Sequence, residues 1–187
     1  MNFRNDIREG IQREYYPDGK RSKILTYKNG VLDGTHITFN AEGKVEVSLS
    51  YKEGKKNGKQ TYFYSNGKEA GIEMWTMDQK DGDFITYNDE GLILAKSTFK
   101  KDLAVGEHLV NDEKGKTIHQ TIYDKKGAKQ YEMEIDEYGD KKVLFDINKT
   151  EKSSGITEDD DPNDISPKTE KKNKRKKKKE RRKKDKA

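Results

Sequence analysis

Lys44-Val45-Glu46-Val47-Ser48-Leu49-Ser50-Tyr51-Lys52 alternates polar and apolar residues at every step, so Val45, Val47, Leu49 and Tyr51 fall on one face of a half-buried strand. Glu53-Gly54 and Asn57-Gly58 then interrupt the pattern. Lys59-Gln60-Thr61-Tyr62-Phe63-Tyr64 resumes it with threonine and aromatic residues that suit a pleated surface, and Ser65-Asn66-Gly67 closes the unit. The unit reads as two antiparallel strands and two turns.

The same pattern returns at a fixed interval. Gly19, Gly43, Gly67, Gly91, Gly115 and Gly139 are each 24 residues apart, and Gly34, Gly58, Gly82 and Gly106 keep the same spacing. An aromatic column of Tyr27, Tyr51, Trp75, Phe99 and Tyr123 keeps it too. Three registers on one period define a tandem structural repeat. Both glycine series are expected in tight hairpin turns, where φ > 0 carries no steric penalty for glycine. The Asn or Asp before many of them supports the same geometry. The second strand carries Ile37, Thr61, Ile85 and Leu109, and two residues on Phe39, Phe63 and Tyr87; these two columns share a face. The column from Tyr27 to Tyr123 is expected to fill the sheet's own face. Tyr62, Tyr64 and Phe84 are candidates for the opposite face, where they would anchor a partner.

The expected fold class is all-β: an elongated single-layer antiparallel β-meander of about five 24-residue two-strand repeats, with a disordered C-terminal tail. The array occupies 15–124, after a polar lead-in at 1–14 that is either a short helix or irregular. The pattern decays over 125–150: Gln130 stands one period past Gly106, and Gly127 is out of phase. That segment reads as a degenerate last repeat or cap, as terminal repeats often are.

Composition agrees. Hydrophobic residues are 29% and charged residues 40%, too little apolar surface for a thick two-layer core. Cysteine is absent, which excludes disulfides, thiolate nucleophiles and Cys-based zinc sites. No stretch is apolar for long enough to span a bilayer, and Met1-Asn2-Phe3-Arg4-Asn5-Asp6 lacks an apolar signal core. If residue 1 is the native start, the expected location is the cytoplasm, or the nucleus in a eukaryote.

Charge is unevenly distributed. Residues 168–187 hold 14 Lys/Arg and carry a net +11, whereas 151–167 hold six acids and only Lys152. The remainder, 1–150, is close to neutral. The segment 151–167 reads as an acidic disordered linker and 168–187 as a basic disordered tail. In that tail Lys171, Lys172, Lys174, Arg175, Lys176, Lys177, Lys178, Lys179, Arg181, Arg182, Lys183 and Lys184 are candidates for an anionic partner. Nucleic acid would be bound by counterion release and anionic lipid by surface potential. The tail holds no aromatic residue, so it offers no base stacking.

Tyr27-Lys28-Asn29-Gly30-Val31-Leu32-Asp33-Gly34-Thr35-His36-Ile37-Thr38-Phe39 resembles a MORN repeat, and Tyr51 to Phe63 matches the same pattern. Tyr16-Pro17-Asp18-Gly19-Lys20 and Tyr64-Ser65-Asn66-Gly67-Lys68 are similar to the bacterial variant of that repeat, found in YwqK-like antitoxin components. The resemblance covers about 15–123. It implies a twisted antiparallel sheet that binds a protein or a lipid surface, with an antitoxin or immunity setting by family label. Asp78 and Asp102 depart from it, standing where the first turn glycine belongs.

No catalytic constellation is visible. His36 and His108 occupy equivalent positions three units apart, about 30 Å by sheet spacing, too far to share a metal. The expectation is a non-enzyme without cofactor or metal that recognises a protein partner through its sheet face. The alternative is a nucleic-acid-, ribosome- or membrane-associated factor held by its tail. End-to-end self-association through open terminal strands is a further option.

Overall fold

The computed structural model describes residues 3–154. The basic tail, and the acidic segment from residue 155 onward, lie outside the described residues. The strands are β1 (Phe3–Arg4), β2 (Ile7–Arg8), β3 (Gly10–Tyr15), β4 (Arg21–Lys28), β5 (Val31–Phe39), β6 (Val45–Lys52), β7 (Lys55–Lys56), β8 (Gly58–Phe63), β9 (Glu69–Thr76), β10 (Gln79–Tyr87), β11 (Ile93–Lys100), β12 (Leu103–Asn111), β13 (Thr117–Tyr123), β14 (Lys129–Ile135) and β15 (Lys141–Asp146). A helix, α1 (Ile147–Ser154), follows in the chain. Strands β3 to β15 form one antiparallel sheet of 13 strands in chain order, in which β7 and β8 both pair with β6. Strands β1 and β2 form a separate hairpin. The all-β single-layer meander is the observed fold.

Two turn types alternate along the sheet. The short one has two central residues, both with φ > 0: Asn29 and Gly30 (49° and 84°), Glu53 and Gly54 (52° and 79°), Met77 and Asp78 (51° and 68°), Lys101 and Asp102 (49° and 67°). This is the type I′ geometry, whose twist matches that of the flanking strands. The long turn ends on the series Gly19 to Gly139, and the glycine N–H returns to the carbonyl three residues earlier, as from Gly19 to Tyr16 at 2.9 Å. An Asn or Asp at the first position often fastens it: Asn40 Oδ1 accepts from the N–H groups of Glu42 and Lys44 at 3.0 and 2.9 Å.

The series Gly34, Gly58, Gly82 and Gly106 corrects the sequence reading. These glycines are not hairpin turns; they sit inside the second strand, in a two-residue bulge. Leu25 pairs with His36, but Tyr27 pairs with Leu32, so two residues of β5 are left over. The same slip occurs between Lys80 and Phe84 opposite Trp75 and Glu73, and between Val105 and Leu109 opposite Thr98 and Lys96. Each bulge glycine lies directly across from the column aromatic of the following repeat: Gly34 from Tyr51, Gly58 from Trp75, Gly82 from Phe99, Gly106 from Tyr123. The reason for glycine is plainest at Gly82, where φ is +123° and an added Cβ would lie 2.7 Å from Cβ of Met74.

The expected lead-in at 1–14 is also corrected, because it forms strands rather than a helix or irregular chain. Its residues keep the period: Phe3, Arg8, Gly10 and Gln12 stand 24 before Tyr27, Leu32, Gly34 and His36. The pairing of Phe3 with Arg8 reproduces that of Tyr27 with Leu32, and Gly10 faces Tyr27. The alternation is weak there because residues 1–14 contain few apolar residues.

At the other end, the out-of-phase Gly127 closes a long turn from Asp124, where earlier repeats use the short one. Strand β14, with Gln130 in the glycine position, runs without the two-residue bulge. The two residues that earlier units spend in the bulge are spent here in the turn, so the period of 24 survives. Leu25 and Met133 are the buried apolar side chains among the described residues; most others remain half-exposed on one face or the other.

Gly82→Ala is expected to destabilise the protein by about 2–4 kcal/mol, from backbone strain plus the overlap with Met74. Gly19→Ala, where φ is +85° but nothing lies within 4 Å of the new Cβ, should cost only the backbone part, about 1–2 kcal/mol. Urea unfolding followed by far-UV circular dichroism measures both.

Candidate interaction surface

Alternation places the side chains of the sheet on two faces. One carries Ile24, Ile37, Ile72 and Ile85, joined by the cross-strand pairs Ile24–Ile37 and Ile72–Ile85. The other carries the aromatic column, and rings from the second strand fill the gaps between its members. Phe84 lies between Trp75 (centroids 5.4 Å apart) and Phe99 (5.1 Å). His108 lies between Phe99 (5.5 Å) and Tyr123 (4.9 Å). The interplanar angles of 64°, 75°, 65° and 58° are edge-on or tilted, the arrangement that ring quadrupoles favour. A continuous ladder Trp75–Phe84–Phe99–His108–Tyr123 thus crosses five consecutive strands, with every rung half-exposed.

The structure therefore moves Phe84 and Tyr62 from the face expected for them to the face of the column. The Tyr62 hydroxyl and Trp75 Nε1 both donate to Glu73 Oε2, at 3.2 and 2.8 Å. Burial, then the Glu73 carboxylate, push the Tyr62 hydroxyl above its ordinary pKa. Tyr64 stays at a long turn and donates to the Tyr87 carbonyl at 2.6 Å. Lys80 pairs with Trp75 across the short turn, and Phe84 lies an even number of residues beyond Lys80, which returns it to the face of the column.

Cations lie on the rings. Lys56 Nζ is 4.5 Å from the Trp75 centroid, Lys80 Nζ is 4.8 Å from that of Phe99 and 5.3 Å from that of Phe84, and the Arg8 guanidinium is 5.2 Å from that of Tyr27. Arg8, Lys56 and Lys80 are equivalent repeat positions, each following a short turn by two residues. Elsewhere on this face the charges pair off, as Lys23 with Glu14 at 3.6 Å and Lys129 with Glu132 at 2.8 Å. The Lys129 ammonium holds the Glu132 carboxyl below its usual value. Neither Lys56 nor Lys80 enters an ion pair among the described residues. Asp78 and Asp102 instead accept from the backbone N–H groups of Lys56 and Lys80, at 2.7 and 2.8 Å. This explains the departure from glycine at those two positions: the carboxylate clips each short turn onto the preceding repeat.

The ladder position that Phe84 and His108 occupy is polar in the first repeats. Gln60 is completely buried there, donating to the carbonyls of Ser50 (2.9 Å) and Gly58 (3.2 Å) and accepting from the Ser50 N–H (3.1 Å). His36 sits 6.2 Å from Tyr51, with Nδ1 buried and unpartnered and Nε2 3.5 Å from Thr38 Oγ1. Burial, then Lys23, hold the His36 pKa below the ordinary histidine value, against an opposing pull from Glu14. At the C-terminal end a cleft of about 460 Å³ is lined by Ile118, His119, Glu134, Ile135, Asp136, Asp140, Lys141 and Lys142. Among the described residues no three His, Cys, Asp or Glu converge as a metal site.

Of the residues singled out from sequence, the structure joins Trp75, Phe99 and Tyr123 into one ladder, with Tyr51 beside His36 and Tyr27 beneath Arg8. The cations on the rings were missed. Their 24-residue spacing was readable, but nothing in the sequence says that residues 19 apart, such as Lys56 and Trp75, would touch. The candidate tail residues, Lys171 to Lys184, lie outside the described residues.

Residues 8–29 and 32–53 match the family model described as MORN repeat variant. Each match runs from just after one short turn into the next, so the family unit contains one bulge, one long turn and the strands on either side. Such repeats are generally protein- or membrane-interaction repeats. The match carries no antitoxin assignment. Comparison with curated proteins returns no match. Among the described residues no helix is long and apolar enough to cross a membrane.

Gln60→Leu should cost about 1–3 kcal/mol, because it strands the Ser50 N–H at a buried position. His36→Gln installs the residue that its neighbours use. The wild-type His36 binds its proton less readily folded than unfolded, so stability should fall as pH drops through and below about 6.5. In His36→Gln that component of the pH dependence should vanish, as thermal unfolding between pH 7.5 and 5 would show.

Proposed function

We propose that this protein is a non-catalytic repeat module that binds a protein partner on the ladder face of its sheet. The observation that carries this reading is the Trp75–Tyr123 ladder, half-exposed and topped by cations that pair with no carboxylate among the described residues. Aromatic and cationic side chains at the centre of a surface are the usual anchors of an interface. The antitoxin setting belongs to this reading only through the resemblance of the long-turn motifs. A second reading rests on the 14 Lys/Arg of residues 168–187, which suit a phosphate-bearing polymer or an anionic bilayer.

The test is co-purification from the native host with full-length protein and a variant lacking 155–187, each with and without nuclease. A protein partner retained by the shortened variant and indifferent to nuclease supports the sheet as the binding element. Partners lost on shortening or nuclease treatment place the function in the tail, with a steep decline in binding between 50 and about 200 mM salt.

A further inference from the structure

We infer that the ladder face binds an acidic segment in the polyproline II conformation, with carboxylates at every third residue, lying across the strands. This rests on the sheet-face reading proposed above and names the chemistry of its partner.

The argument begins with spacing. Lys56 and Lys80 are equivalent positions in adjacent repeats, and a two-strand unit advances the sheet by about 9.6 Å. A polyproline II helix has three residues per turn and rises about 3.1 Å per residue, so every third side chain projects from one side at intervals of about 9.3 Å. A β-strand places residues i and i+3 on opposite sides. The repeat of this sheet therefore fits the period of one extended conformation and rejects the other. Arg8 lies two units beyond Lys56, so a ligand with carboxylates opposite Lys80 and Lys56 reaches Arg8 six residues further on. Leu32 occupies the intervening position.

Charge and shape agree with spacing. The ammonium groups of Lys56 and Lys80 rest over rings at 4.5 and 4.8 Å and pair with no carboxylate among the described residues. A cation over a ring keeps its outer side for an anion. The Asp78 and Asp102 carboxylates are engaged with backbone N–H groups and so do not supply that anion. Beneath and beside the cations, Trp75, Phe84 and Phe99 offer the half-exposed aromatic floor on which polyproline II ligands dock. Intercalated bases fit less well, because neighbouring rings already meet each other edge to face at 5.4 and 5.1 Å.

Trp75 is the one tryptophan of the chain and lies under Lys56, so its emission reports the ladder. Full-length protein is titrated with capped (Glu-Pro-Pro)5, with (Lys-Pro-Pro)5, with a peptide carrying glutamate at every second residue, and with a 15-nucleotide oligo-dT. The expected result is a saturable change in Trp75 emission with (Glu-Pro-Pro)5. Affinity should be at least tenfold weaker for the alternate-glutamate peptide and for the double variant Lys56→Gln/Lys80→Gln. Lys23→Gln, which removes a paired cation from the same face, should leave affinity unchanged. Unaltered circular dichroism of the variants confirms that they fold. No response to (Glu-Pro-Pro)5, equal affinity for the double variant or the alternate-glutamate peptide, or a stronger response to oligo-dT would overturn the inference. If these fail while the shortened protein still captures its partner, the sheet-face function stands and only this ligand chemistry falls.

Discussion

Glycine set opposite an aromatic ring, once per repeat, is the contact on which this sheet depends. The bulge needs a residue that tolerates φ between +69° and +123°, and a Cβ there would crowd the preceding strand, against Thr26 at Gly34 and Met74 at Gly82. At Gly82 both demands coincide, with Met74 close behind the backbone. The bulge re-registers the second strand by two residues, which directs Phe84 and His108 between the column aromatics. Without that slip Phe84 would lie opposite Gly71 and not Glu73, on the same face but two residues further from Trp75 along the strand. The ladder is thus a product of backbone geometry as much as of aromatic content.

A sheet this thin cannot hold itself together through a deep core, and the neighbouring repeats compensate at both edges. At the short turns, Gly30, Gly54, Asp78 and Asp102 donate backbone N–H groups to the carbonyls of Arg8, Leu32, Lys56 and Lys80, at 2.7–2.9 Å. At the long turns, Lys20 and Lys44 reach the carbonyls of Ala41 and Ser65, both at 2.8 Å, and Tyr16 reaches Phe39 at 2.6 Å. From the first repeat to the turn at Asp102, neighbouring units are clipped together on both sides. Stability in such an array is a sum of units and nearest-neighbour contacts, so damage at one bulge is expected to stay local in structure. The exposed ion pairs, such as Lys44 with Glu42, add little to this sum.

The two ends of the sheet differ in chemistry. The N-terminal repeats place polar Gln12, His36 and Gln60 in the ladder column, and the middle repeats place Phe84 there. Cations accompany rings from Arg8 to Lys80, whereas Ala104 takes the corresponding position in the next unit. Beyond Tyr123 the two-residue bulge disappears and the ion pair of Lys129 with Glu132, at 2.8 Å, takes the place of rings. The middle of the array, around Trp75, is where aromatic surface coincides with cations that pair with no carboxylate among the described residues.

The sequence by itself determined the strand class, the 24-residue period and the single-layer meander, because alternation and glycine spacing are local properties of the chain. Phe3, Gly10 and Gln12 already showed that the period reaches into the first residues, although weak alternation there concealed the strands. Tertiary pairing decided the rest. That Gly34 and Gly82 are bulges and not turns depends on which residue of the neighbouring strand each one faces. That Phe84 reaches the gap between Trp75 and Phe99 depends on the two residues the bulge absorbs, which set its place along the strand. That Lys56 lies over Trp75 and Lys80 over Phe99 depends on strand register, which brings together residues 19 apart that no local pattern links. Period is written along the chain, whereas the face a side chain occupies is set only when the strands pair.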